Sequence, residues 1–532
     1  GGFVDERGPE DLETLRTWSA ETVLQMCVDW KPSEDQSWSF DDDERVEISH
    51  WGFAKQLSQL VKEQPASYAE RISILEDAKP QYADVVLDGL AEALQNDGRF
   101  SWQPVLSFCE TVTDEPSQWP SRCRTSIARL LREGIQSDQT DFPRKYLVRV
   151  EGLLVHLLTE VGLETIEEQP HSWKGGVGDP EEEVRRNGVG AVVSYIWWKD
   201  QNDCLGDDGL DEALREAIQT RIIEDSAVPV RTALGRHFQT FWAADKDLIQ
   251  SHLDDLFPRG DENEAKQLFS AVWNGYTRGN PLLQPAFSEL RPFYRHALDL
   301  LAEDESDEGW ITAATTASHI GMAYVVEDES LDDDESLIRQ FYYMMHSETT
   351  ANVADAFSQV LDNEDSPLDD HWDAIRGLWQ WRLGQVESEI TDIEDAAEYH
   401  KEFRYFLQCL QHTDATSLED EQDLVERTAP FLVHQAPHVR ILEEWLGEQS
   451  ATYPAAAISV YHAVIEAVPD GEWHNVARSS KDEMRETLYT NAIHTGDEPG
   501  SHAYKVANRF AAAGYEIDKE FLDSYLSNDD SR

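Results

Sequence analysis

Histidines four residues apart can hold zinc from one helix face, and His434 and His438 have that spacing. Pro437 stands between them and no HExxH occurs, so they read as scattered histidines. Asp304-Glu305-Ser306-Asp307-Glu308-Gly309 opens like a calcium loop, with alternating oxygen ligands before a turn glycine. Its twelfth position is Thr315, where a bidentate glutamate is needed, and the match fails. Gly175-Gly176-Val177-Gly178 and Gly188-Val189-Gly190 resemble pieces of phosphate loops, but neither follows a predicted strand and no GxxxxGKS or GxxxxGKT occurs. A GxSxG nucleophile elbow is also missing. Carboxylates are so numerous that no pair of them marks an acid–base couple. The sequence thus predicts no catalytic residue, no metal and no cofactor.

Aromatic residues are the richer signal. Trp197-Trp198, Trp372, Trp379 and Trp381 are dense, and Trp372 and Trp379 lie seven apart, on one face of a helix. Such rings fill the joints between packed helices. They also anchor protein partners, as arginine does. On the second reading His371, Trp379 and Arg382 are the candidate partner-binding residues.

What positions them is a repeating helical framework. Asp179-Pro180-Glu181-Glu182-Glu183-Val184-Arg185 is echoed by Asp225-Ser226-Ala227-Val228-Pro229-Val230-Arg231. Each copy sets an Asp five residues before a Val-Arg pair, and the step falls within the ~40 to 47 residues of HEAT and armadillo units. The Asp is predicted to cap a helix, the Val to enter the core and the Arg to lie along the surface. Leu210, Ala213, Leu214, Ala217, Ile218 and Ile222 form an apolar stripe before the second copy, and Val230, Ala233, Leu234, Phe238, Phe241 and Trp242 form one after it.

The same periodicity runs on both sides, from Ala54, Leu57 and Leu60 to Val506 and Phe510, with proline and glycine at the joins. Residues 33–47 read as a solvated loop. Strand-like alternation is scarce. The expected fold is all-α, a HEAT/armadillo-like α-solenoid of antiparallel helix pairs. Its expected parts are N-terminal helical repeats over 1–163, a glycine-bearing loop over 164–178, HEAT-like repeats over 179–302 and C-terminal helical repeats over 303–532.

Charge is the strongest compositional fact. Against 44 basic residues stand 105 acidic ones, a net charge of −61 spread along the whole chain. Such a surface repels itself in dilute buffer. In molar salt the screening length shrinks to about 3 Å. A salt-accumulating cytoplasm, such as that of a haloarchaeon, is therefore expected. No basic patch points to nucleic acid, and no stretch reaches the about 20 apolar residues that a bilayer needs. The five cysteines are far apart and form no CxxC, which argues against structural zinc and a disulfide framework. The chain begins Gly1-Gly2-Phe3, which suggests a piece of a longer protein.

Four segments carry a family resemblance. Asp29-Trp30-Lys31-Pro32-Ser33, Pro80-Gln81-Tyr82 leading to Leu87-Asp88-Gly89-Leu90, and Ser101-Trp102-Gln103-Pro104-Val105-Leu106 resemble the C-terminal helical region of large prokaryotic STAND-like NTPases of the antiphage-defence type. Ala503 to Gly514, running through Ala511-Ala512-Ala513-Gly514-Tyr515, is similar to their closing helix. The resemblance implies a sensor or scaffold region whose ATPase and effector parts lie upstream, and it carries over no catalytic residue.

Taken together, these readings predict a non-catalytic scaffold that recognises a protein partner, with oligomerisation through the missing part of the protein. The alternatives are an α/α-toroid enzyme acting on sugars, with facing carboxylates roughly 5 to 9.5 Å apart, and a purely structural helical spacer.

Overall fold

Caps and prolines set where the helices begin. The Ser19 side chain accepts the Thr22 N–H, and that of Asp179 accepts the Glu181 N–H. Pro65, Pro80, Pro180 and Pro454 occupy first helical positions, where a missing N–H costs nothing. The computed structural model describes residues 5–31, 38–41, 44–136, 142–159, 179–206, 209–279, 282, 284–303, 311–327, 329–363, 366–390, 395–433, 436–469 and 471–529. The glycine-bearing loop at 164–178, the calcium-loop-like run at 304–309 and His434 lie outside them.

The chain divides into two units, Gly1–Asn280 and Pro281–Arg532. The first holds α1 (Leu12–Arg16), α2 (Ala20–Asp29), α3 (His50–Glu63), α4 (Pro65–Ala69), α5 (Pro80–Gln95), α6 (Trp102–Asp114), α7 (Ser121–Gln136), α8 (Leu147–Thr159), α9 (Pro180–Gln201), α10 (Glu212–Glu224), α11 (Val228–Arg236), α12 (Phe238–Ala244), α13 (Lys246–Ser251), α14 (Leu253–Leu256) and α15 (Asn263–Gly279). Helices α3, α5, α7, α9, α11 and α15 pack side by side in one row. A second row, α2, α4, α6, α8, α10 and α14, lies against the first. Each amphipathic helix thereby buries one stripe against its pair-mate and two flanks against neighbouring repeats.

The second unit holds α16 (Phe287–Glu303), α17 (Ala313–Val326), α18 (Leu337–Met344), α19 (Ser347–Leu361), α20 (Trp372–Glu389), α21 (His400–His412), α22 (Gln422–Leu432), α23 (Ala436–Gln449), α24 (Pro454–Ala467), α25 (Trp473–Ser479), α26 (Asp482–Ile493), α27 (Asp497–Ala512) and α28 (Glu516–Asp529). Here α17, α19, α21, α22, α24 and α27 form the continuous row. Helix α18 packs on α16 and α17, and α26 on α23 and α28. Within each unit this is the HEAT/armadillo-like stacking of antiparallel helix pairs. Among the described residues no helix is long and apolar enough to cross a membrane.

Four details depart from the sequence reading. Residues expected to be a loop contain strands β2 (Trp38–Asp41) and β3 (Glu44–Ile48), which with β1 (Asp5–Arg7) make a small sheet of order β1-β3-β2. β3 runs parallel to β1 and antiparallel to β2. Two short alternating apolar patterns, Trp38/Phe40 and Val46/Ile48, are interrupted by the acidic run between them, so the loop signal dominates the sequence.

Second, the divide falls after Asn280 and not at 302/303, because α16 packs with α18 in the second unit. Helix α7 also packs directly on α9, within the first unit. Third, Asp179 caps α9 as expected, whereas Asp225 does not cap α11, whose N-cap is Ala227. The proline explains the difference: Pro180 follows its Asp directly, but Pro229 comes four residues after Asp225 and carries the helix start with it. Fourth, the repeat arginines do not lie along the surface. Arg185 is largely covered and Arg231 is buried, and both reach into the next joint.

Those joints form a ladder. Arg124 on α7 pairs with buried Glu181 in the first turn of α9, and Ser121 also donates to that carboxylate. Arg185 on α9 donates Nε to Asp225 Oδ2 at 2.7 Å, and Arg221 donates to the same oxygen at 3.0 Å. Arg231 on α11 turns to carbonyls, those of Asp225 at 2.6 Å and Asp255 at 2.8 Å. The second belongs to the C-terminal turn of α14, where unpaired carbonyls favour a cation. Val184 and Val230 are fully buried beside these arginines, as the sequence predicts.

Candidate interaction surface

Helix α20 has two aromatic faces with different fates. On the inner one, Trp372 donates its indole N–H to Glu421 at 3.0 Å and Trp379 donates to Thr428 Oγ1 at 3.1 Å. The Trp379 ring is fully buried and stacks on Phe406, with centroids 5.8 Å apart and planes 7° from parallel. Arg382 is also buried and donates Nε to Glu402 at 3.1 Å. Its guanidinium lies 5.1 Å from the centre of the Tyr342 ring and 5.3 Å from that of Tyr399. Thr350 completes the site by donating to the second Glu402 oxygen at 3.0 Å. Burial pushes the Glu402 carboxyl above its ordinary range, against the pull of Arg382.

Trp379 and Arg382 therefore fill the joint between α20, α21 and α22. As packed, they offer a partner no side-chain surface. His371 lies half-buried just before α20.

The other face is the exposed one. Trp381, half-buried, sets its ring edge against Tyr342 at 5.6 Å and Tyr343 at 6.4 Å. Tyr343 is 61% exposed and Met344 is 37% exposed. The Tyr343 hydroxyl accepts from Arg339 at 2.8 Å and from Gln385 at 3.3 Å. Arg339 is in turn held by Asp334 at 2.7 Å and by the Leu331 carbonyl at 3.0 Å. The exposed rings thus stand in fixed positions, backed by the Arg382–Glu402 pair through Tyr342. Rigid aromatic, Met and Arg side chains are enriched in protein interfaces because they bring large contact area at little entropic cost. The signal for them was the run Tyr342-Tyr343-Met344-Met345, which holds two of the chain's five methionines.

In the first unit Trp197 is 59% exposed, its indole N–H donating to Thr240 at 3.2 Å. Among the described residues no group of three His, Cys, Asp or Glu side chains is placed to hold a metal. Cys27, Cys109, Cys123 and Cys409 are buried free thiols. Burial pushes all four thiol pKa values up.

No family model matches the chain, and no curated protein matches it. Among solved structures it is similar to a Kap95:Nup1 complex, at 13% identity and a TM-score of 0.42 over 94% of this chain and 64% of that one. It is similar also to yeast importin-beta (Kap95p), at 12% identity and a TM-score of 0.37 with the same coverages. An engineered protein matches at 12% identity and a TM-score of 0.29, over 92% of this chain and 98% of that one. The chain thus spans about two thirds (64%) of the length of the first two. Likeness at this level says nothing of function, and the fold rests on the helix packing described above.

Proposed function

We propose that the chain is a non-catalytic interaction and sensor scaffold, the C-terminal part of a larger NTPase-linked protein of the antiphage-defence type, working in a salt-accumulating cytoplasm. The observation that supports an interaction role is the Tyr343–Met344–Trp381 surface, apolar and aromatic, held in place from below and open to solvent. Apolar anchors suit a high-salt cytoplasm, because salt screens charge pairing and strengthens apolar burial. The NTPase context rests on the short sequence resemblances alone.

A photo-crosslinking amino acid at Met344, with the same group at exposed Val148 as control, tests the interaction role in cells. The expected result is one protein captured through Met344 and not through Val148. No capture, or the same set from both positions, contradicts the reading. Sequencing the reading frame upstream of Gly1 tests the context, which fails if no NTPase module is encoded there.

A further inference from the structure

The join that leads into α18 is Asp332-Asp333-Asp334-Glu335, and all four residues are exposed. Its backbone is pinned: the Asp332 N–H donates to Ser330 Oγ at 3.1 Å, and the Glu335 N–H to Asp333 Oδ1 at 2.9 Å. Its carboxylates are unequally used. Asp333 holds that amide, Glu335 reaches Arg295 at 3.4 Å, and Asp334 pairs with Arg339 at 2.7 Å. The Asp332 carboxylate has no bonded partner among the described residues.

Arg339 shows what cation this place accepts. Its Nη2 touches both Asp334 Oδ1 and, at 2.8 Å, the Tyr343 hydroxyl, so acid and phenol are neighbours. The same guanidinium lies 5.4 Å from the centre of the Tyr343 ring. Asp332 and Asp334 both pull on it, and two carboxylates against one guanidinium leave one negative charge beside the exposed rings.

We infer that a protein partner engages this surface through an arginine, whose guanidinium lies against the Tyr343 and Trp381 rings and donates to Asp332. The inference rests on the interaction reading above and adds the partner's chemistry to it. Charge complementarity selects a cation over an anion here. The rings then select guanidinium over ammonium, because it is planar and weakly hydrated and stacks on an aromatic face while its fork stays free for a carboxylate. In molar salt, where the screening length is about 3 Å, only charges in contact count, and stacking supplies that contact.

The test titrates the full chain, at one fixed molar salt concentration and by ligand-observed NMR, with capped Leu-X-Leu tripeptides in which X is arginine, lysine or citrulline, the neutral isostere of arginine. The arginine peptide is expected to bind, and the lysine and citrulline peptides roughly five-fold or more weakly. Asp332→Asn, which breaks no bond of the fold, and Tyr343→Leu should each weaken the arginine peptide several-fold. Equal binding of the three peptides, no binding of the arginine peptide, or unchanged affinity in both variants overturns the inference. Sequencing the peptide cross-linked at Met344 separates this failure from that of the interaction reading: a captured segment without arginine overturns the inference and leaves the reading standing, whereas no capture, with the arginine peptide still bound, overturns the reading alone.

Discussion

Arg185 in one copy of the repeated segment donates to the carboxylate of Asp225 in the next, Nε to Oδ2 at 2.7 Å. The two halves of the sequence repeat are bonding partners, so the repeat marks a joint as well as a helix start. Asp225 is the more demanding member. Its side chain is almost wholly buried, holds Arg185 and Arg221, and accepts the Ala227 N–H at 3.0 Å.

Asp225→Ala strands two largely covered arginines and an amide, and should destabilise the first unit by about 3–5 kcal/mol. Arg185→Ala leaves Asp225 with Arg221, and should cost about 1–3 kcal/mol. Urea unfolding at constant salt measures both. Equal, small effects contradict the ladder.

A closer joint tolerates no side chain at all. A β-carbon on Gly235 of α11 would sit 2.0 Å from the Val272 carbonyl oxygen, and one on Gly275 of α15 would sit 2.2 Å from that of Thr232. Either alanine substitution forces the two helices apart and should cost about 1–3 kcal/mol or more. Gly190, inside α9, has open space around its missing β-carbon. Gly190→Ala should be neutral or stabilise by up to about 1 kcal/mol. A melting temperature that falls equally in all three rejects the close crossing.

How much of this could be read beforehand differs by level. Periodic apolar residues such as Leu57 and Leu60, or Leu153 and Leu157, placed helices correctly because burial imposes a helical period on the sequence. Joints were less legible. Glu402 and Glu421 look like any other acid in a chain of 105, and only packing shows that they are covered and paired. Trp379 and Trp381 differ by two positions, a rotation of about 200° around the helix. Composition cannot tell the buried ring from the half-buried one, since that depends on where α18 and α21 lie.

Glu443 makes stability depend on pH. Burial pushes its carboxyl up to about 7, against donation from Ser480, the nearby Arg485 charge and the Lys481 N–H, with Glu444 raising it slightly further. Its pKa in the folded state thus exceeds the ordinary 4.5, and the fold binds this proton more tightly than the unfolded chain does. The stabilisation is complete below about pH 4.5 and is lost as pH rises to about 7, roughly 3 kcal/mol in all. Glu443→Gln should remove this slope and be more stable than the parent above pH 7. A parallel pH profile in parent and variant contradicts it.

Thiol reactivity reports on the same packing. Cys204 is partly exposed, whereas the other four cysteines are buried with raised thiol pKa values. An aromatic disulfide reagent should modify one thiol per folded chain quickly, and the rest only on unfolding. Fast modification of more than one is the contrary result.

The interaction reading stands or falls on the exposed rings. Once the protein captured at Met344 is purified, calorimetric titration against the parent, Tyr343→Ala, Trp381→Ala and the control Thr428→Val compares the surface formed by α18 and α20 with the buried joint between α20 and α22. Loss of roughly ten-fold or more in affinity for the two aromatic variants, as for interface anchors, with the control close to the parent, is the predicted result. Unchanged affinity in both aromatic variants contradicts the account.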